Sequence, residues 1–362
     1  MTRLTRADLD GLPAYVPGRN LADLTRELGI AEAIKLASNE VPYGPLPGVP
    51  EAVAEAVLNS HRYPDLGAVE LREALAERYG VTPDRVVTGC GSVALTELLV
   101  KAACLPGDEV VYAWRSFEAY PIIAHGAATT SVRIPNTEGH GHDLEAMADA
   151  ITERTRVVFV CNPNNPTGTA LRKPELDRFL AEVPSDVIVV LDEAYRELVT
   201  DPEVPDGLKT YGHRENVVVL RTMSKAWGLA GLRMGYLIAS PEVAGAVRKV
   251  LTPFSSSNVA QAAALAALRQ EAEMSRRCSL VAAERERVTE ALRKLSVDVP
   301  ESQANFVWLP LGDRAVPFAQ LCERRGVIVR PFPGDGVRVS IGTPAENDTF
   351  LASAEAVLEK LA

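Results

Sequence analysis

The sequence is poor in the features that mark secreted, membrane and nucleic-acid-binding proteins. Its five cysteines (Cys90, Cys104, Cys161, Cys278 and Cys322) are scattered over 362 residues with no C-x-x-C pair among them. A disulfide framework is therefore not expected, and a reducing compartment is. No apolar run approaches the ~20 residues that span a bilayer. Met1 to Leu12 mixes arginine and aspartate where a signal segment carries an apolar core. We expect a cytoplasmic protein with no membrane association. Basic charge is short too: 38 Lys and Arg against 48 Asp and Glu leave a net charge of −10, the opposite of a nucleic-acid footprint. Internal repeats and low-complexity tracts are also missing.

What the chain does contain is alternation between short β-branched runs and helical patterns. With 47% hydrophobic and 24% charged residues it has a globular composition, and its length suits one large domain plus a smaller one. The clearest strands are Arg156–Cys161, Val187–Leu191, Val217–Arg221 and Met234–Ala239, continuous apolar runs that predict burial on both faces, as in parallel sheets. Helical patterns such as Val69–Arg78 and Lys173–Glu182 flank them. The expected fold class is α/β: a large domain on a mainly parallel, doubly wound sheet, plus a smaller α+β domain. One long helical stretch is expected from Asn258 to Leu295, followed by short strands near 305–309, 327–330 and 336–341 and a closing helix. We place an N-terminal arm contributing to the small domain at residues 1–50. The large domain is expected at 51–258 and the small C-terminal domain at 259–362.

Four segments carry candidate chemistry. Thr222-Met-Ser-Lys225 follows a predicted strand and sets one lysine between two hydroxyls, with Arg233 eight residues on. A Schiff-base lysine with hydroxyl and arginine ligands for a phosphate needs those residue types close together at a strand's carboxyl end. By itself the segment reads equally well as a loop with a surface lysine. Asp192-Glu-Ala-Tyr195 closes the strand before it, where a carboxylate can pair with a protonated ring nitrogen, or simply cap a helix. Asn162-Pro-Asn-Asn-Pro-Thr-Gly168 forms a rigid turn able to aim the Asn165 amide, or merely a turn. Gly89-Cys-Gly-Ser92 opens a helix whose first amides make a phosphate seat, though it is not the dinucleotide glycine fingerprint. The incomplete fingerprint argues against a nicotinamide dehydrogenase.

Taken together, Ser224-Lys225 with Gly228-Leu-Ala-Gly-Leu-Arg233, the Asp192 and Asn162 segments, Tyr15-Val-Pro-Gly18, Leu36-Ala-Ser-Asn-Glu40, Arg62-Tyr-Pro-Asp65 and Gly336-Val-Arg338 resemble the fold-type-I, aspartate aminotransferase-like enzymes. Within them the chain is similar to the histidinol-phosphate aminotransferase branch, over nearly its whole length. The resemblance implies pyridoxal 5′-phosphate (PLP) bound to Lys225 as a Schiff base, with Lys225 also moving the substrate α-proton. It implies that Asp192 pairs with the pyridine nitrogen, and that Tyr195 and Asn165 contact the phenolic oxygen. Arg233, Thr222, Ser224 and the amides near Ser92 and Val93 are the implied phosphate ligands. Phe117 is the implied ring-stacking aromatic, unless it is simple core. Tyr63 falls where the family's tyrosine reaches the neighbouring subunit's site, which implies a homodimer; it also reads as a packed surface aromatic. Arg338 falls where an arginine receives the substrate's acidic group. A regulator built on this kind of domain would need a DNA-binding segment, for which the arm before Ser38 is too short.

The donor divides the readings. Asn39-Glu-Val-Pro42, Val93 and the run Trp114–Tyr120 depart from the usual histidinol-phosphate pattern and look more like the actinobacterial aromatic (phenylalanine) aminotransferases. An aromatic amino acid needs one arginine, Arg338, and an apolar pocket for which Tyr15, Tyr63, Phe254 and Trp308 are candidates, with Asn39 a further substrate-binding candidate. Histidinol phosphate asks for two cations, which Arg330 and Arg338 offer. Ping-pong transamination of aromatic amino acids with a 2-oxo acid such as 2-oxoglutarate is the favoured reading. Histidinol-phosphate or dual use, and a PLP decarboxylase, are the alternatives.

Overall fold

The computed structural model describes residues 4–5, 7–11, 25–27, 29 and 33–361. Tyr15 lies outside them. Among the described residues, twelve strands form three sheets. The large sheet contains β2 (Val86–Cys90), β3 (Glu109–Trp114), β4 (Thr130–Pro135), β5 (Thr155–Cys161), β6 (Ile188–Asp192), β7 (Val217–Thr222) and β8 (Met234–Ile238), in the spatial order β2-β8-β7-β6-β5-β3-β4. Strands β4, β3, β5, β6 and β7 run parallel. Every residue of β7 and β8 is buried, because helices cover both faces of the sheet.

β8 is the antiparallel member, pairing with β7 on one side and β2 on the other. Its orientation follows from chain length. Only residues 223–233 separate it from β7, fewer than the dozen or so that a parallel crossover needs, so the chain must turn back. Those residues are the Lys225 loop.

The expected single helix over 258–295 is two, Asn258–Leu268 and Glu271–Lys294. Gln270, at φ −110° and ψ 34°, breaks the helical path between them. No glycine or proline marks the break, which is why periodicity ran through it. The first of the two starts at Ser257, whose hydroxyl accepts a hydrogen bond from the Ala260 amide at 3.1 Å.

Two small sheets complete the molecule. β1 (Ile34–Lys35) pairs in parallel with β10 (Val327–Ile328). β9 (Phe306–Leu309), β11 (Arg330–Phe332) and β12 (Gly336–Ser340) form an antiparallel sheet ordered β11-β12-β9. Its register sets Arg330 directly opposite Arg338, and Arg338 opposite Trp308. Trp308 is 2% exposed and packs edge-on against Phe332 at 5.5 Å. It belongs to the core and not to a substrate pocket.

Candidate active site

The carboxyl ends of β5, β6 and β7 open into one cavity of about 230 Å³. Open parallel sheets present polar loop residues at this edge. Lining it are Lys225, Asp192, Tyr195, Asn165, Thr222, Ser224, Arg233, Ser92, Val93, Phe117, Asn39, Arg330 and Arg338, together with Ser38, Cys161 and the alanines 37 and 194. The structure thus gathers residues from positions 37 to 338 of the chain around one space.

Lys225 is partly buried, and its Nζ donates to the Ser38 carbonyl at 3.2 Å. Burial is the main influence lowering its pKa, to about 7. The nearby Arg338 and Arg233 cations act in the same direction, and Glu40 opposes them. Its amine is therefore largely uncharged at mildly basic pH.

Asp192 ends β6 and is buried. The Tyr120 hydroxyl donates to its Oδ2 at 2.7 Å, whereas Oδ1 is buried with no hydrogen-bond partner. Burial raises its pKa to about 6 against the stabilising Tyr120 and Ala194 bonds. A buried carboxylate oxygen without a donor is costly, so this atom is built to meet one. Helix capping is not its role, since its contacts run to Tyr120.

Tyr195 is held by Asn39, whose Nδ2 donates to its hydroxyl at 2.9 Å. Asn39 is in turn fixed by its own amide donating to Ser340 Oγ at 2.8 Å. Asn165 Oδ1 accepts from Arg338 at 2.6 Å, and the other arm of that guanidinium donates to the Ala37 carbonyl at 2.7 Å. Arg330 donates to Glu118 at 3.0 Å.

The opposite end of the cavity is a cradle. The helix Gly91–Ala103 begins one residue before Ser92, and the residue at its N-cap, Cys90, offers no side-chain cap. Its first-turn amides, those of Ser92 and Val93 among them, have no intrahelical carbonyl to meet. Arg233 Nη1 lies 3.4 Å from Ser224 Oγ, and Thr222 Oγ1 accepts from the Ser224 amide at 3.1 Å. Gly91 has φ +79°, and a Cβ there would come 2.6 Å from the Arg233 guanidinium. Beneath the cradle, a Cβ on Gly235 would lie 2.4 Å from the Ser92 nitrogen, so glycine lets β8 pass directly under the helix start.

Tyr63 is not among the lining residues. It is 82% exposed and stacks on Phe254 at 4.5 Å, so neither aromatic lines the cavity of its own chain. Tyr120 is the functional residue that sequence reading missed. It is fully buried, stacks on Phe159 at 4.5 Å and meets Phe117 edge-on at 5.5 Å. A signal existed, in that Tyr120 lies three residues beyond Phe117.

A near-neutral, partly buried lysine, an unpaired carboxylate oxygen and an anion cradle, set at the carboxyl ends of a mostly parallel sheet, define a lysine-centred α/β enzyme. The chain belongs to the class I and II aminotransferase family, whose model matches residues 31–353, and it is an aminotransferase. It is 55% identical to the aromatic amino acid aminotransferase of Streptomyces avermitilis over 356 residues, covering 98% of each chain. Its fold matches the histidinol-phosphate aminotransferase of Sinorhizobium meliloti in complex with pyridoxal-5′-phosphate, with a TM-score of 0.89 at 27% identity over 100% of this chain and 99% of that one. A single mutant of Thermus thermophilus aspartate aminotransferase superposes with a TM-score of 0.82 at 26% identity, covering 98% of this chain and all of the other.

Proposed function

We propose that this PLP-dependent aminotransferase transaminates aromatic amino acids (phenylalanine, tyrosine and tryptophan) with a 2-oxo acid such as 2-oxoglutarate, in two ping-pong half-reactions. One observation carries the cofactor assignment: the buried, unpartnered Oδ1 of Asp192 shares a cavity with the near-neutral Lys225. That oxygen fits a protonated pyridine nitrogen, and the lysine fits an aldehyde. When bound, PLP supplies an electron sink for the carbanion formed at the substrate Cα.

The residues act around it as follows. Lys225 would hold the cofactor, and its amine would move the proton at the substrate Cα. Asp192, held by Tyr120, keeps the ring nitrogen protonated. The Tyr195 hydroxyl, and the Asn165 Nδ2 whose partner oxygen is occupied by Arg338, serve the ring oxygen. Arg233, Thr222, Ser224 and the Ser92 and Val93 amides would take the phosphate, and Phe117 would cover the ring. Arg338 receives the substrate carboxylate, with Arg330, Asn39, Tyr15 and Tyr63 around the rest of the substrate. Tyr63 acts across a homodimer interface. Its exposure in the single chain, like that of Leu58 at 76%, supports that reading. All five cysteines are free and no helix among the described residues is long and apolar enough to cross a membrane, which supports a cytoplasmic enzyme.

The aromatic donor is supported by the relative at 55% identity, twice the identity of the histidinol-phosphate neighbour at 27%. The test mixes purified holoenzyme separately with phenylalanine, tyrosine and histidinol phosphate and follows the cofactor's visible absorbance. Rapid conversion by the aromatic donors, with an oxo acid and no carbon dioxide as product, is expected. Conversion by histidinol phosphate alone would overturn the donor, and release of carbon dioxide would overturn transamination.

A further inference from the structure

Beside the cavity, Asn39, Tyr195, Asn305 and Ser340 form one chain of buried hydrogen bonds. Asn39 is its centre. Its backbone is left-handed, at φ 55°, a conformation that strains most side chains and that asparagine tolerates better than others. Three contacts hold it there. Its amide donates to Ser340 Oγ at 2.8 Å, its carbonyl accepts from Asn305 Nδ2 at 3.0 Å, and its Oδ1 accepts from Ser340 Oγ at 3.2 Å. Asn39, Ser340 and Tyr195 are each no more than 3% exposed, so a bond left unmade here would be costly.

The direction of each bond follows from counting protons. Ser340 Oγ accepts from the Asn39 amide, which leaves its own proton for a second partner, Asn39 Oδ1. With Oδ1 on the Ser340 side, Nδ2 lies on the other, where it donates to the Tyr195 hydroxyl at 2.9 Å. A hydroxyl that accepts one bond still has one proton to give. Among the described residues nothing takes it, and Tyr195 lines the cavity. With the amide reversed, Oδ1 would draw the Tyr195 proton back into the protein, and the Ser340 proton would face an NH2 group.

We propose that Ser340 and Asn39 are positioning residues acting in series: Ser340 fixes the Asn39 amide, and the amide makes the Tyr195 hydroxyl a donor aimed at the cofactor's ring oxygen. The inference rests on the reading that Tyr195 serves that oxygen. A donor there competes with the proton of the Lys225 Schiff base for the oxygen's negative charge, and so lets that proton leave at lower pH. Ser340 is not among the residues lining the cavity, so its influence on the ring passes through Asn39.

The experiment titrates the visible absorbance of the substrate-free holoenzyme against pH in the wild type, Ser340→Ala, Tyr195→Phe and the double variant. Tyr195→Phe is expected to raise the midpoint by about one unit, a tenfold change in the proton equilibrium, because the donor is gone. Ser340→Ala should raise it by about half a unit, roughly threefold, since the released amide samples both orientations. In the double variant the serine substitution should add nothing, as for two residues acting through one contact. Ser340→Cys keeps the side chain's shape but donates weakly; its midpoint should also rise, which decides the matter if the alanine variant does not fold. A merely structural serine would lower unfolding stability without moving the midpoint. A midpoint left unmoved or lowered by the serine substitutions, or a rise that persists without the Tyr195 hydroxyl, overturns the relay and leaves the Tyr195 reading standing. No movement in Tyr195→Phe overturns that reading, and the relay with it.

Discussion

Lys225 owes its chemistry to its surroundings. An ordinary lysine is neutral only above about pH 10.4, but burial and the Arg338 and Arg233 cations bring this one to about 7. The shift is downward, so the reactive neutral amine dominates above about 7 and is lost to protonation below it. Cofactor rebinding by the PLP-stripped protein should therefore accelerate through a midpoint near pH 7 and level off above it. Arg338→Gln removes a cation that lowers the pKa, and should move that midpoint upward. Stopped-flow absorbance across pH 6 to 9 checks both, and a flat profile or a downward move would contradict the assignment. The lysine, Asp192, Asn165 and Arg233 were legible because each sits in a local pattern at a predicted strand end. Tyr120 was not: its partner lies 72 positions away, and no local pattern encodes such a pairing.

At the scale of elements, strands buried on both faces announced themselves as apolar runs, and β5 to β8 fall within a residue or two of their expected ends. The antiparallel sense of β8 follows from a short loop that can be counted in the sequence, and the break at Gln270 carries no breaker residue. What the sequence could not express is how closely β8 and the helix Gly91–Ala103 approach. Two substitutions separate the parts of that junction. Gly91→Ala meets the far end of the Arg233 side chain and also places an alanine at φ +79°, so it should weaken PLP binding about tenfold or more, measured by cofactor titration, and lose about 1–2 kcal/mol to left-handed strain. Gly235→Ala meets backbone at Ser92, which cannot give way. Overpacking of this kind costs about 1–3 kcal/mol, and denaturant unfolding should record that loss. A Gly91→Ala variant that binds PLP as tightly as the wild type would contradict the role given to Arg233.

At the scale of the whole molecule, Tyr63 is the residue whose place a single chain leaves open. Its ring is 82% exposed and stacks on Phe254 at 4.5 Å, and losing so exposed a side chain should change stability by no more than about 1 kcal/mol. In the proposed dimer the same ring completes the neighbour's site. Tyr63→Ala should then leave unfolding of the chain nearly unchanged and still lower kcat/KM. A complementation experiment isolates the intersubunit part. Homodimers of Lys225→Ala are expected to be inert, and those of Tyr63→Ala to be impaired in both sites. A hybrid of the two variants holds one site with its own Lys225 and an intact Tyr63 from the other subunit. Random assembly makes about half of the dimers hybrid with one good site in two, so co-refolded equal mixtures should recover about a quarter of wild-type activity. If Tyr63 served only its own chain, no site in any hybrid would have both residues, and the mixture would do no better than the average of its parents.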